Sequence, residues 1–178
     1  MPEAVSISLA SRLTSDDNLL DAVERCWFDV SSAGGAVGFP MHPVPRADVA
    51  NATRRLAHDV GAGSVEVFIA ERGEDVVGWV SLRRNRAPVA RHWATVERLQ
   101  CRPDARGLGI GTRLMAVLTE HAAGVGLEHL RLVLRAGEGL ETFYGRLGWV
   151  EIGRHPAALR LSQGDDRDEV AMLLHLAG

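Results

Sequence analysis

The chain of 178 residues contains no lysine; all 20 of its basic residues are arginine. That absence removes whole classes of chemistry. A Walker A phosphate loop and a protein-kinase site each need their lysine, and a Schiff-base enzyme needs a catalytic one. Cysteine is nearly as scarce. Cys26 and Cys101 lie far apart and make no CxxC pair, so neither a disulfide framework nor a cysteine-rich zinc site is expected. No apolar run approaches the roughly 18 residues of a membrane span, and Met1-Pro2-Glu3-Ala4 lacks the charged and apolar pattern of a secretion signal. The expectation is therefore no membrane partner and a reducing, cytoplasmic setting. Nor is there an excess of positive charge. Twenty basic against 23 acidic residues give −3, which argues against a nucleic-acid partner. The seven histidines show no HExxH or similar spacing, so no metal site is expected.

What is present is an ordinary globular composition, 46% hydrophobic and 24% charged. Its length suits a single domain over residues 1–178. Apolar periods alternate between strand and helix, which predicts a mixed α/β fold. Val5–Leu9 reads as a strand. A helix follows Asp16-Asp17 on the stripe Leu19, Leu20, Val23, Trp27 and Val30, and a second starts near Arg46 and ends at Gly61 and Gly63. Val65–Ala70 and Val76–Leu82 read as a hairpin, with Trp79 packing on the sheet. Ala94–Cys101 is the next strand, stopped by Pro103. After a glycine-rich turn come a helix striped by Ile110, Leu114, Val117 and Leu118, a strand at His129–Leu134, and a short helix at Leu140–Leu147 capped by Gly148. Last come strands at Trp149–Ile152 and Glu169–Leu176, with the acidic segment Gly164–Asp168 turning between them.

Two stretches carry chemistry. Arg106-Gly107-Leu108-Gly109-Ile110-Gly111 lies between a strand and a helix. A helix N-terminus offers unpaired N–H groups at its positive end, and glycines let backbone approach a ligand closely, so the turn suits a phosphate or pyrophosphate. Taken alone, it suits a tight helix cap equally well. Arg102, Arg106 and Arg113 add positive charge around it. The second stretch is Glu141-Thr142-Phe143-Tyr144-Gly145-Arg146-Leu147-Gly148-Trp149, with the chain's only tyrosine. A phenol can donate a proton to a departing thiolate; it can also simply pack its ring on the sheet. Cys101 has no histidine or acidic neighbour in sequence and reads as a small buried hydrophobe rather than a nucleophile.

In order and separation, these stretches resemble the two motifs of the GNAT acetyltransferase superfamily. The first matches its R/Q-x-x-G-x-G/A signature, and the second its Tyr, basic residue, Leu, Gly and aromatic. Gly35-Ala36-Val37-Gly38-Phe39, Val96-Glu97-Arg98-Leu99 and Gly153-Arg154-His155-Pro156 resemble the branch typified by tabtoxin-resistance acetyltransferases. The resemblance implies a mixed, mostly antiparallel sheet of six to seven strands, splayed at the cofactor site and flanked by about four helices. It implies acetyl-CoA as donor, a small-molecule amine as acceptor, and pairing of two copies as in many relatives. The pyrophosphate would sit on Arg106, Gly107, Leu108, Gly109, Ile110, Gly111 and Thr112. The pantetheine arm would pair with Leu99, Gln100 and Cys101, and Tyr144 takes the position of the general acid. Thr112 replaces a common basic residue, offering a hydroxyl to a phosphate instead. Arg135–Gly139 is shorter than the loop that carries an Asn or Asp-Thr pair in relatives.

Amine acetylation also needs a base, since an alkyl ammonium titrates near pH 10.4. Strict alternation places Glu97 on one face with Leu99 and Cys101, where apolar neighbours would favour proton uptake. Glu97 is accordingly the candidate base; the plainer reading is an arginine-paired strand residue. Phe39 and His42 are candidate acceptor-pocket residues, while His92 and His155 read more simply as surface positions. Other readings of the resemblance are a non-catalytic acyl-CoA sensor and a protein or peptide N-acetyltransferase.

Overall fold

A computed structural model describes residues 4–35, 38–39 and 43–176. Among these residues there are seven strands, β1 (Val5–Leu9), β2 (Val65–Arg72), β3 (Asp75–Arg84), β4 (Trp93–Cys101), β5 (His129–Arg135), β6 (Val150–Ser162) and β7 (Asp165–His175). They form one sheet in the order β1-β2-β3-β4-β5-β7-β6. Every neighbouring pair is antiparallel except β4–β5, which is parallel. Four helices cover it: α1 (Asp17–Ser32), α2 (Arg46–Gly61), α3 (Ile110–Gly124) and α4 (Leu140–Arg146). This is the expected mixed sheet with four helices.

Two cores result, one on each face. Ile110, Leu114, Met115 and Leu118 of α3 join Tyr144 of α4 against Phe68, Val80, Leu82 and Val96. On the other face, Val23, Trp27 and Val30 of α1 and Val49 and Leu56 of α2 lie on Val67, Ile69 and Trp79. The rings of Trp27 and Trp79 meet edge to face at 5.0 Å, which ties α1 to the middle of β3. Asp16 caps α1 by accepting the Leu19 N–H at 3.2 Å.

The last hairpin differs from expectation. β6 runs to Ser162, well past Ile152, and β7 begins at Asp165. The turn between them is Gln163-Gly164, with Gly164 at φ 84°. Asp165, Asp166 and Asp168 are strand residues paired to Arg167, Arg160 and Arg154. Period-2 reasoning missed the extension because β6 is an edge strand, exposed along most of its length. Its register breaks repeatedly, and it contains Pro156, which an edge tolerates.

Candidate active site

The site begins at a break in β4. Glu97 lies opposite Ser81 and Gln100 opposite Trp79, so β4 carries one more residue than β3 there. Arg98 takes up the excess with a left-handed backbone, φ 58°. The bulge overturns the alternation expected from sequence. Leu99 and Cys101 pack with the α3–α4 core, whereas Glu97 stays on the Ser81 side and the Arg98 guanidinium lies 5.2 Å from the Trp27 ring. Glu97 therefore meets two cations, not apolar neighbours. Its Oε1 accepts from Arg83 Nε at 3.0 Å and its Oε2 from Arg98 Nη1 at 3.3 Å. Arg83 also reaches Asp59 at 3.0 Å, and that hydrogen bond holds the Asp59 carboxyl below its ordinary range. Burial lowers the Arg98 guanidinium, with Glu97 opposing.

Beside the bulge the sheet opens. β4 and β5 pair only over Trp93–Thr95 and His129–Arg131. From Val96 to Cys101, β4 has β3 on one side and, among the described residues, no strand on the other. This leaves a row of backbone donors and acceptors able to pair with an extended, amide-bearing ligand. Gln100 is 4% exposed and its Oε1 has no hydrogen-bond partner.

The glycine turn closes the end of the wedge. Gly107 and Gly109 sit at φ 77° and 72°, a conformation that a side chain resists, and open space lies where a Cβ would stand. The first backbone bond after the turn runs from Arg113 N–H to Gly109 C=O. The N–H groups of Ile110, Gly111 and Thr112 thus precede the helical ladder. A cavity of about 280 Å³ lies here, bounded by the turn, Cys101, Arg106 and Phe143. Open space above the glycines and unpaired helix donors fit a pyrophosphate. Ile110 can contribute only its backbone, because its side chain is buried in the core; Leu108 is exposed. Of the three nearby arginines, Arg102 is offset by Asp29, Asp75 and Asp104, and Arg113 donates to the Val5 carbonyl at 2.8 Å. Among the described residues no carboxylate pairs with Arg106.

Tyr144 lies across the wedge on α4. Gly148, at φ 86°, ends that helix so that the Trp149 N–H reaches the Tyr144 carbonyl at 3.1 Å. The Trp149 and Phe143 rings flank the phenol edge to face at 5.8 and 5.0 Å. Tyr144 is 7% exposed. Burial, reinforced by Cys101, raises its phenol above the usual value, so it holds its proton at neutral pH. Burial also lifts the Cys101 thiol to about 11, with Arg106 opposing, which leaves too little thiolate for a nucleophile.

Phe39 packs on Trp27 at 5.6 Å and borders two cavities. One, about 280 Å³, is polar, with Arg55, Asp59, Arg83 and Arg98. The other, about 430 Å³, runs along Val133–Arg135 and Leu159–Leu161. His42 lies outside the described residues. A larger groove of about 770 Å³, at Ser11, Glu66 and Arg84, shares no residue with the wedge. Arg55, Asp59 and Arg83 went unnoticed in the sequence. They come from α2 and β3, and only the β3–β4 register brings Arg83 to Glu97.

The sequence matches the acetyltransferase (GNAT) family over residues 19–149, from α1 through the glycine turn to Trp149. The fold is similar to that of a ribosomal-protein-alanine N-acetyltransferase from Brucella melitensis, at 24% identity over 96% of this chain and 99% of that one, TM-score 0.75. It is also similar to a Salmonella typhimurium protein whose structure includes its cofactor acetyl-CoA, at 16% identity over 98% and 95%, TM-score 0.77. A third likeness is to an N-acetyltransferase from Staphylococcus aureus Mu50, at 15% identity over 98% and 99%, TM-score 0.77. Glycine turn, splayed strands and buried tyrosine all fall within the matched span or beside it, and the chain belongs to the GNAT acetyltransferase family.

Proposed function

We propose that the protein transfers an acetyl group from acetyl-CoA directly to a primary amine of a small molecule. The observation that carries this reading is the wedge itself. A free strand edge, a glycine turn with unpaired N–H groups and a protonated phenol converge on it. Bound acetyl-CoA supplies the activated acetyl group. Gly107–Thr112 and Arg106 hold its phosphates, and the Leu99–Cys101 backbone aligns its arm. A backbone N–H of that segment would steady negative charge developing on the carbonyl. Tyr144 gives its proton to the departing sulfur. Glu97 is the candidate base, held in place by Arg83 and Arg98.

The two cavities beside Phe39 are each the size of a small-molecule site, and the polar one mixes cations with a carboxylate. An amino-acid-like acceptor suits that lining. A peptide N-terminus is the second reading, favoured by the likeness to the Brucella protein and by the open groove along Leu159–Leu161.

Free-thiol release on matched panels of small amines and peptides tests both. Turnover with small amines and none with peptides is the expected result; the reverse selects the peptide reading. Release with neither, despite acetyl-CoA binding, would indicate an acyl-CoA sensor. Tyr144→Phe should lower kcat about 10²-fold or more; full kcat in that variant would remove the acid role.

A further inference from the structure

We propose that His92, Glu128 and His129 form a surface site for a divalent first-row transition metal of the zinc class, located where β4 and β5 are still paired. The seven histidines look scattered in sequence, but the fold brings these two together with Glu128. One ligating atom from each lies within 4.8 Å of the others. A tetrahedral zinc ion at 2.0–2.1 Å from its ligands needs them about 3.3 Å apart, a distance that small side-chain rotations reach.

The backbone beneath is fixed. The Glu128 N–H donates to the His92 carbonyl at 2.8 Å, and Trp93 is in register with His129. The rings are partly set as well. His92 and His129 meet edge to face at 5.1 Å, and His129 stacks on Trp93 at 6.3 Å with 8° between planes. Among the described residues, none of the three side chains is engaged in a hydrogen bond or ion pair. Two imidazoles and one carboxylate suit zinc, nickel or copper and not magnesium, whose preference is for oxygen ligands. Three protein ligands leave a position for water. An ion here would tie the segment entering β4 to the start of β5, across the rungs that hold the wedge's closed end together.

The site is independent of acetyl transfer, and so is its test. The untagged full chain, stripped with chelator, is titrated calorimetrically with zinc and with magnesium. One-to-one zinc binding and no magnesium heat are expected. His92→Ala and Glu128→Gln alter exposed side chains, so they should fold, and each should weaken zinc by about 10-fold or more. Zinc should raise the wild-type Tm and leave that of a His92→Ala/His129→Ala chain unmoved. No zinc binding, or unchanged affinity in His92→Ala and Glu128→Gln, would overturn the proposal. His175 supplies the control, its ring 5.8 Å from that of His129 but outside the three-ligand group. If His175→Ala weakened zinc as much as His92→Ala does, the specific site would give way to a diffuse histidine patch.

Discussion

At Ala94 and Thr95, β4 is paired with a strand on both sides; from Val96 to Cys101 it is paired on one among the described residues. The paired end is tightly packed, with Ala94 fully buried. The open end holds a bulge, a partnerless buried amide oxygen on Gln100 and partly buried Leu99 and Cys101. One strand thus serves as core at one end and, in the proposed function, as a binding edge at the other. Backbone groups left without strand partners are costly when buried. Their presence at one end only is what supports the proposal that a ligand completes the sheet there.

Substitutions at the two ends should separate stability from chemistry. The largest effect is expected at the open end. Glu97→Gln keeps the shape but removes the carboxylate, and should lower kcat about 10²-fold in steady-state assays. Unchanged kcat at every pH would remove the base role and leave Glu97 as the partner of Arg83 and Arg98. At the paired end, Ala94→Leu adds three carbons to a fully buried position. It should cost about 1–3 kcal/mol in denaturant unfolding while leaving acetyl-CoA affinity of the folded protein unchanged. A shift in affinity would mean that the two ends are mechanically coupled. The smallest effect, about 10-fold in acetyl-CoA Kd by calorimetry, is expected for Arg106→Ala. Arg102→Ala should change affinity much less, because Asp29, Asp75 and Asp104 already offset that guanidinium. Equal losses at both positions would contradict this difference.

Much of this arrangement could be read from residue order. Gly107 and Gly109 read as a glycine-rich turn, Ile110, Leu114, Val117 and Leu118 as the apolar stripe of the helix after it, and Gly148 as the cap of the short helix that carries Tyr144. What escaped were features set by register and distance. The bulge at Arg98 carries no glycine to announce it, so alternation carried Glu97 to the wrong face. Arg102 looked as available as Arg106 until three acids from α1, β3 and the turn after β4 were brought to it. The edge strand β6 has too few buried positions to leave a periodic trace. His92 and His129 are separated by α3 in sequence and become neighbours only through the parallel pairing of β4 with β5.

The left-handed residue at 98 also sets the phase of everything that follows it in β4. Flattening that position into regular strand, with every residue kept, would rotate Leu99, Gln100 and Cys101 by half a turn, sending the Cys101 thiol toward α1 and the Gln100 amide toward Tyr144. Cutting the residue out would do the opposite: Gln100 would stay opposite Trp79, and each later side chain would keep its face. The backbone conformation at this point is therefore a more exacting requirement than the residue count, because the two faces of the strand are exchanged by losing the bend and not by losing the residue.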